Sequence, residues 1–294
     1  SLDRISIADV EKVIPVEVDS TEIVKSYDDC TMAVGLKMLA NGEGDAFVSA
    51  GSTGAIVVGA SLFVKRIKGI RRAALAPVVP TGNGGAVLID CGANAECPPE
   101  YLLQFAYMGS YYAEHVLGRP EPKVGLLNIG AEPSKGTSLQ TTVYPMLEEA
   151  SKAGRINFVG NVEAREAVEG AVDVIVSDGY SGNIFLKTME GTGLFLAREM
   201  KRMFKKNLAT KLAALLVSGG LKEFKKIMSS DEVGGTALLG ISRPVIKAHG
   251  SSDAYAIKNA VRQARQCVSS GIVDNISANV DVMRLEAPAV HGEE

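Results

Sequence analysis

Residues able to do chemistry gather where apolar runs of this chain end in small, polar, glycine-bearing loops. Four such stretches read DAFVSAGSTGA (Asp45–Ala55), AVLIDCGANAE (Ala86–Glu96), VGLLNIGAEPSKG (Val124–Gly136) and VDVIVSDGYSGN (Val172–Asn183). Glycine lets a backbone approach a ligand closely, and a helix start offers unpaired N–H groups to an anion. Ser49, Gly51, Ser52, Thr53 and Gly54 make one donor-rich loop of this kind. Lys135, between Ser134 and Gly136, is a point charge suited to a phosphate or a developing oxyanion. Asn183 is expected either to cap a helix or to donate to a bound anion, with Lys187 one turn later on the same face. A further stretch, KAHGSS, sets Lys247 and His249 before a glycine and two serines, an anion-binding turn whose histidine could hand a proton to a leaving group. Asp90, Asn94 and Glu96 line the second loop. Acids beside a phosphate are unfavourable, so they are expected to orient Lys135 or to accept from loop amides, with Asn94 near the substrate. Cys91 is a conceivable nucleophile, but nothing near it in sequence lowers its pKa, and it reads as structural.

These loops need strands to hold them. Strand-like runs fall at 45–50, 86–90, 124–129, 156–159 and 172–177, and helical patterns at 99–117, 137–153 and 162–169. Strands alternating with helices predict βαβ units and a mostly parallel sheet flanked by helices. In such sheets ligands bind beyond the carboxyl ends of the strands, where all four loops sit. The 294 residues are 46% hydrophobic but only 5% aromatic, as expected for strands of small aliphatic residues buried on both faces. The chain is expected to form one α/β catalytic unit over residues 1–294, compact or in two lobes. A net charge of −3 gives no field favouring nucleic acid. No apolar run reaches the roughly 20 residues of a membrane span, and no signal peptide is expected at the start. Four cysteines without a repeated CxxC spacing and three histidines point to reduced thiols in the cytoplasm and to no metal site.

One segment is unlike the rest. Between Lys201 and Lys226 stand eight basic residues, among them Lys205, Lys206, Lys211, Lys222, Lys225 and Lys226, against the single acid Glu223. Leu208, Leu212, Leu215 and Leu216 keep a helical spacing, which resumes at Leu221, Phe224 and Met228 after Ser218-Gly219-Gly220. The pattern predicts a projecting amphipathic hairpin over 201–230 with its turn at those glycines, packed on the body or meeting an acidic protein, a second subunit or an anionic membrane.

Taken together the loops resemble the bacterial phosphate acyltransferase family, the acyl-acyl carrier protein:phosphate acyltransferases. The matching stretches run in order from Asp45 to Ala264: DAFVSAGSTGA, LIDCGANAECPPEYLLQFAYMGSYYAEHVLG, VGLLNIGAEPSKG, INFVGNVEAREA, VIVSDGYSGNIFLKTMEG and VIKAHGSSDAYAIKNAVRQA. The family's opening strand and DAMGGD-type loop are not found in these residues, Ser52 stands where the family usually has Asn, and Ala131 where an acid is common. The resemblance implies an isocitrate dehydrogenase/phosphotransacetylase-like fold. It also implies attack of inorganic phosphate on the thioester of an acyl carrier protein, giving acyl phosphate for phospholipid synthesis, with no cofactor. Lys135, Asn183 and His249 are then the expected catalytic residues. Ser49, Gly51, Ser52, Thr53, Gly54, Asn94, Ser134, Gly136, Lys187 and Lys247 are expected to bind phosphate or substrate. The hairpin lysines are expected to meet the carrier or the membrane, and the protein to be a homodimer at the inner membrane face. A phosphate acetyl- or butyryltransferase using coenzyme A, and a non-catalytic carrier- or membrane-binding scaffold, are the alternatives. A dinucleotide-dependent dehydrogenase ranks low, because no strand leads into a GxGxxG with an acid about 20 residues on.

Overall fold

The computed structural model describes residues 2–221, 224 and 234–283. Its strands are β1 (Phe47–Ser49), β2 (Ala74–Ala76), β3 (Val78–Val79), β4 (Ala86–Ile89), β5 (Lys123–Asn128), β6 (Asn157–Glu163), β7 (Val174–Val176), β8 (Thr236–Leu239) and β9 (Val245–Lys247). The α-helices used below are α1 (Thr31–Ala40), α2 (Thr53–Gly59), α3 (Pro99–His115), α4 (Ser138–Lys152), α5 (Ala164–Glu169), α6 (Gly179–Phe204), α7 (Leu208–Leu216), α8 (Ala254–Ser269) and α9 (Ile272–Ala278).

The strands form two sheets. One has the order β3-β4-β7-β5-β6, with four parallel strands and the edge strand β3 antiparallel to β4. This is the expected mostly parallel sheet, flanked by helices. The other has the order β1-β9-β8-β2, in which only β1 and β9 run parallel. The chain passes from β2 to β3 through Pro77, which has no N–H to continue a ladder, so the two sheets part there. Alternate residues of both sheets face opposite cores. Val87, Ile89, Val174, Val176, Ala237 and Leu239 belong to one buried cluster, and Leu88, Ile175, Leu75 and Leu238 to the other. Burial on both faces is why these strands read as unbroken aliphatic runs.

Each expected helix is present. Pro98 and Pro99 open α3 with Glu100 in the first turn, where a missing N–H costs nothing and a carboxylate meets the positive helix end. Gly109 lets α3 lie against the parallel sheet, since a Cβ there would come within 2.6 Å of Val174 Cγ1. Thr137 and Gln140 close a capping box that starts α4 directly after the Lys135 loop.

The basic segment departs from expectation. Its first break lies at residues 205–207, where Asn207 caps α7, and α7 ends at Leu216 with Val217 as its C-cap. Residues 218–221 are helical, so Ser218-Gly219-Gly220 is not the turn. A glycine pair inside a helix costs about 1 kcal/mol per residue. Lys222, Lys225 and Lys226 lie outside the described residues.

Candidate active site

The carboxyl ends of β4, β7 and β5, neighbours in the sheet, carry three of the four glycine loops side by side. The fourth follows β1, which pairs in parallel with β9, so SAGSTGA and KAHGSS emerge together.

The β4 loop is organised by Asp90. Its Oδ1 accepts from the backbone N–H groups of Leu75 (2.9 Å), Cys91 (2.7 Å) and Ala93 (3.2 Å). Its Oδ2 accepts from the N–H of Asn94 at 2.7 Å and from Asn94 Nδ2 at 3.0 Å. Burial pushes the carboxyl above the usual carboxylate range, and these donors oppose the shift. Of the two roles expected for Asp90, accepting from loop amides is the one seen. Asn94 Nδ2 also donates to the Ala73 carbonyl at 2.8 Å, so Asn94 ties the loop to the residue that precedes β2.

Helix α6 starts tightly against this loop. Asp178 caps it by accepting from Ser181 N–H at 2.8 Å, so the expected alternative of Asn183 as the cap is corrected. A Cβ on Gly179 would lie 2.3 Å from the Asn94 carbonyl, and one on Gly182 would lie 2.0 Å from the Asp90 carbonyl. The glycines of DGYSGN therefore serve close packing. That packing puts Asn183 over Gly92, whose φ of +124° needs glycine, and leaves the Asn183 side chain exposed.

A cavity of about 940 Å³ opens along α6. Near the helix start it is lined by Thr53, Cys91, Asn183, Lys187, Lys247, His249, Ser251 and Ser252. Lys247 is half-buried, and burial together with the nearby Lys187 charge holds its ammonium below the ordinary lysine value. Lys187 pairs with Glu190 at 2.7 Å, while Lys247 donates to the Ala248 carbonyl and forms no ion pair among the described residues. Two cations facing one space with a single carboxylate in the lining, paired to Lys187, is an anion-accepting arrangement. His249 Nδ1 lies 2.7 Å from Ser251 Oγ and accepts the Ser251 backbone N–H at 3.2 Å. An accepting Nδ1 places the ring proton of neutral His249 on Nε2. Cys91 is buried, and desolvation plus Asp90 raise its thiol well above the ordinary value, which suits the structural role expected of it.

Further along α6 the lining turns apolar. Leu186, Met189, Gly193, Leu194, Ala197, Met200 and Phe204 face Leu75, Pro77, Val78, Val79 and Pro80, and Ala214, Leu221 and Phe224 close the far end. From Asn183 to Phe204 the helix rises about 32 Å. This lane escaped the sequence reading, although its residues keep a helical spacing. Lys201, Lys205 and Lys211 also line the far end, and Lys206 is exposed outside it.

Other expected residues stand around the cavity. Ser52 caps α2 by accepting from Ala55 N–H, Ser49 Oγ accepts from Gly51 N–H at 3.1 Å, and Gly51 and Gly54 pack against Met32 and Ser20. Of this loop Thr53 alone lines the cavity. Residues 131–137, with Ser134, Lys135 and Gly136, form an exposed loop beyond β5. Asn128 Nδ2 holds the Lys135 carbonyl at 3.0 Å and Asn161 Nδ2 holds that of Glu132 at 2.8 Å, so the loop backbone is fixed while Lys135 stays outside the cavity wall.

Comparison with known proteins follows this architecture. A family described as fatty acid synthesis protein matches residues 2–275. A phosphate acyltransferase of Thermoanaerobacterium thermosaccharolyticum is 47% identical over 260 residues, covering 88% of this chain and 77% of its own length. One from Exiguobacterium sibiricum is 45% identical over 274 residues, covering 93% and 82%. Among solved structures, EutD phosphotransacetylase from Staphylococcus aureus superposes with a TM-score of 0.53 at 16% identity, over 90% of this chain and 80% of its own. A phosphotransacetylase from Streptococcus pyogenes gives 0.53 at 18% identity, over 91% and 82%. At such identities the likeness establishes the fold.

Proposed function

This chain belongs to the fatty acid synthesis protein family, in which its curated relatives are phosphate acyltransferases, and on that footing we propose how its cavity works. The enzyme moves a fatty acyl group from the thioester of an acyl carrier protein to inorganic phosphate, forming acyl phosphate for phospholipid synthesis and releasing the carrier thiol. The observation that carries this reading is one cavity, cationic at the start of α6, mostly apolar along the middle of that helix and lined by lysines again at its far end.

Phosphate sits between Lys187 and Lys247, where half-buried charge attracts it more strongly than a solvated lysine would. Inorganic phosphate is already ionised near neutral pH and needs no strong base to attack. Its oxygen adds to the thioester carbonyl, the C–S bond breaks, and the electron pair leaves on sulfur. Asn183 Nδ2 and His249 Nε2–H serve as donors to the carbonyl oxygen as its charge develops. With its proton on Nε2, His249 donates a hydrogen bond to the oxyanion as it forms, and the departing thiolate takes up the proton that the attacking hydrogen phosphate gives up, so the carrier leaves as the free thiol. Lys135, one strand over at the end of β5, adds positive charge from its exposed loop. The acyl chain lies along Leu186, Met189, Leu194, Ala197 and Met200.

Partners follow from the same reading. The exposed leucines of α7 (Leu216 is 87% exposed) and the lysines beside them suit a second subunit or an anionic membrane face, each cation near such a surface contributing about 1 kcal/mol. No helix among the described residues is long and apolar enough to cross a membrane.

The deciding assay follows free carrier thiol and acyl phosphate from acylated carrier, with and without phosphate. Phosphate-dependent release of both in equal amounts is expected. Thiol release at the same rate without phosphate would overturn the reading, and a preference for short acyl-coenzyme A would move it to the acetyl- or butyryltransferases.

A further inference from the structure

Helix α8 leaves the mouth of the cavity, where Ser251, Ser252 and Ala256 form part of the wall, and runs across the surface to Ser269. Its inward face is buried through Ala256, Asn259, Ala260, Gln263, Ala264 and Cys267. Its outward face carries Lys258, Arg262 and Arg265 at spacings of four and three, a stripe about 10 Å long. Tyr255, Val261 and Val268 are exposed beside the stripe. From Ala254 to Ser269 there is no Asp or Glu, in a chain whose net charge is −3. Neither Lys258 nor Arg265 forms an ion pair among the described residues. Ordinary solvated helices mix charges of both signs. A helical face with three cations, exposed apolar side chains and no acid, starting at a cavity mouth, fits a partner with an acidic surface that must reach inside.

We propose that the outward face of α8 is the docking surface for the acidic carrier protein, placing its thioester-bearing arm at Ser251 and Ser252. The assignment rests on the acyltransferase reading and separates carrier docking from the basic α6–α7 segment. Charge steers the carrier to α8, Tyr255 and Val261 supply apolar contact, and the arm enters at the end of the cavity that holds Lys247 and His249.

The test uses the full chain carrying Lys258→Glu and Arg265→Glu together, both at exposed positions outside the cavity. Turnover is measured at saturating phosphate with acylated carrier protein and, separately, with an acyl-pantetheine thioester that has no protein attached. The docking surface predicts at least a tenfold rise in KM for the acylated carrier, with the acyl-pantetheine rate and the melting temperature unchanged. It also predicts that wild-type KM for the carrier rises with salt and that the variant's salt dependence is much flatter. An unchanged carrier KM would overturn the assignment. A changed subunit number in the variant would overturn it too, because the face would then belong to a second copy of the chain. Failure of the wild type to turn over the acylated carrier with phosphate would instead strike the acyltransferase reading, and the docking with it.

Discussion

Lys247 shows how a residue's setting changes its chemistry. In sequence it is a lysine two residues before a histidine; in the fold it is half-buried at the end of β9 and faces Lys187. Burial and a like charge both disfavour the ammonium, so its pKa lies below the ordinary value, and a bound phosphate would draw it back up. The sign for stability follows: the buried charge costs stability below the folded pKa, and that cost is relieved as pH rises through it. The sign for binding is opposite, since phosphate affinity is lost over the same rise. We expect Lys247→Ala to raise the phosphate KM at least tenfold. In the wild type the phosphate KM should climb with pH before an ordinary lysine titrates, and Lys247→Arg should flatten that climb because arginine keeps its charge. A wild-type phosphate KM that stays flat as far as the ordinary lysine range would remove Lys247 from the site. Lys247 and His249 were both legible from KAHGSS, whereas the tautomer that Ser251 imposes on His249 needed the turn geometry.

At the scale of elements, α6 sets the length and the entrance of the cavity, and its position depends on two glycines. Gly182 lets the first turn touch the Asp90 carbonyl, where a Cβ would stand 2.0 Å away. Gly182→Ala should therefore cost about 2 kcal/mol or more, since the contact is with backbone that no rotamer change relieves. Denaturant unfolding measures that loss, and a variant as stable as the wild type would show that the α6 start is free to move. DGYSGN was readable as a strand–loop–helix junction with Asn183 as its candidate residue, and the packing role of its glycines emerged only from the contacts. The short strands β2, β3, β8 and β9 were not legible at all. β1, β4 and β7 are as short but lead into glycine loops that mark them, whereas only pairing across the sheets defines these four.

For the molecule as a whole, the question is which loops act together. Strand order puts the ends of β4, β7 and β5 in a row, so Lys135 stands one strand from the start of α6 although 48 residues separate it from Asn183. Lys135→Ala should lower kcat at least tenfold. Because the side chain belongs to an exposed loop whose backbone is held by Asn128 and Asn161, the melting temperature should not change. Normal turnover in a stable Lys135→Ala variant would confine the chemistry to the cavity wall. The sequence by itself determined the parallel α/β layout, the strand-end loops, the donor and cation types, and the family. These depend on local periodicity and on residue identity, which are written along the chain. Only the tertiary structure decided which loop residues face a common space, that glycines at the start of α6 serve packing, and that the lane along α6 is mostly apolar until lysines return at its far end. Those properties arise from side chains distant in sequence coming within a few ångströms. The four glycine loops announce an anion site, but pairing across two sheets brings Lys187, Lys247, Asn183 and His249 to one cavity.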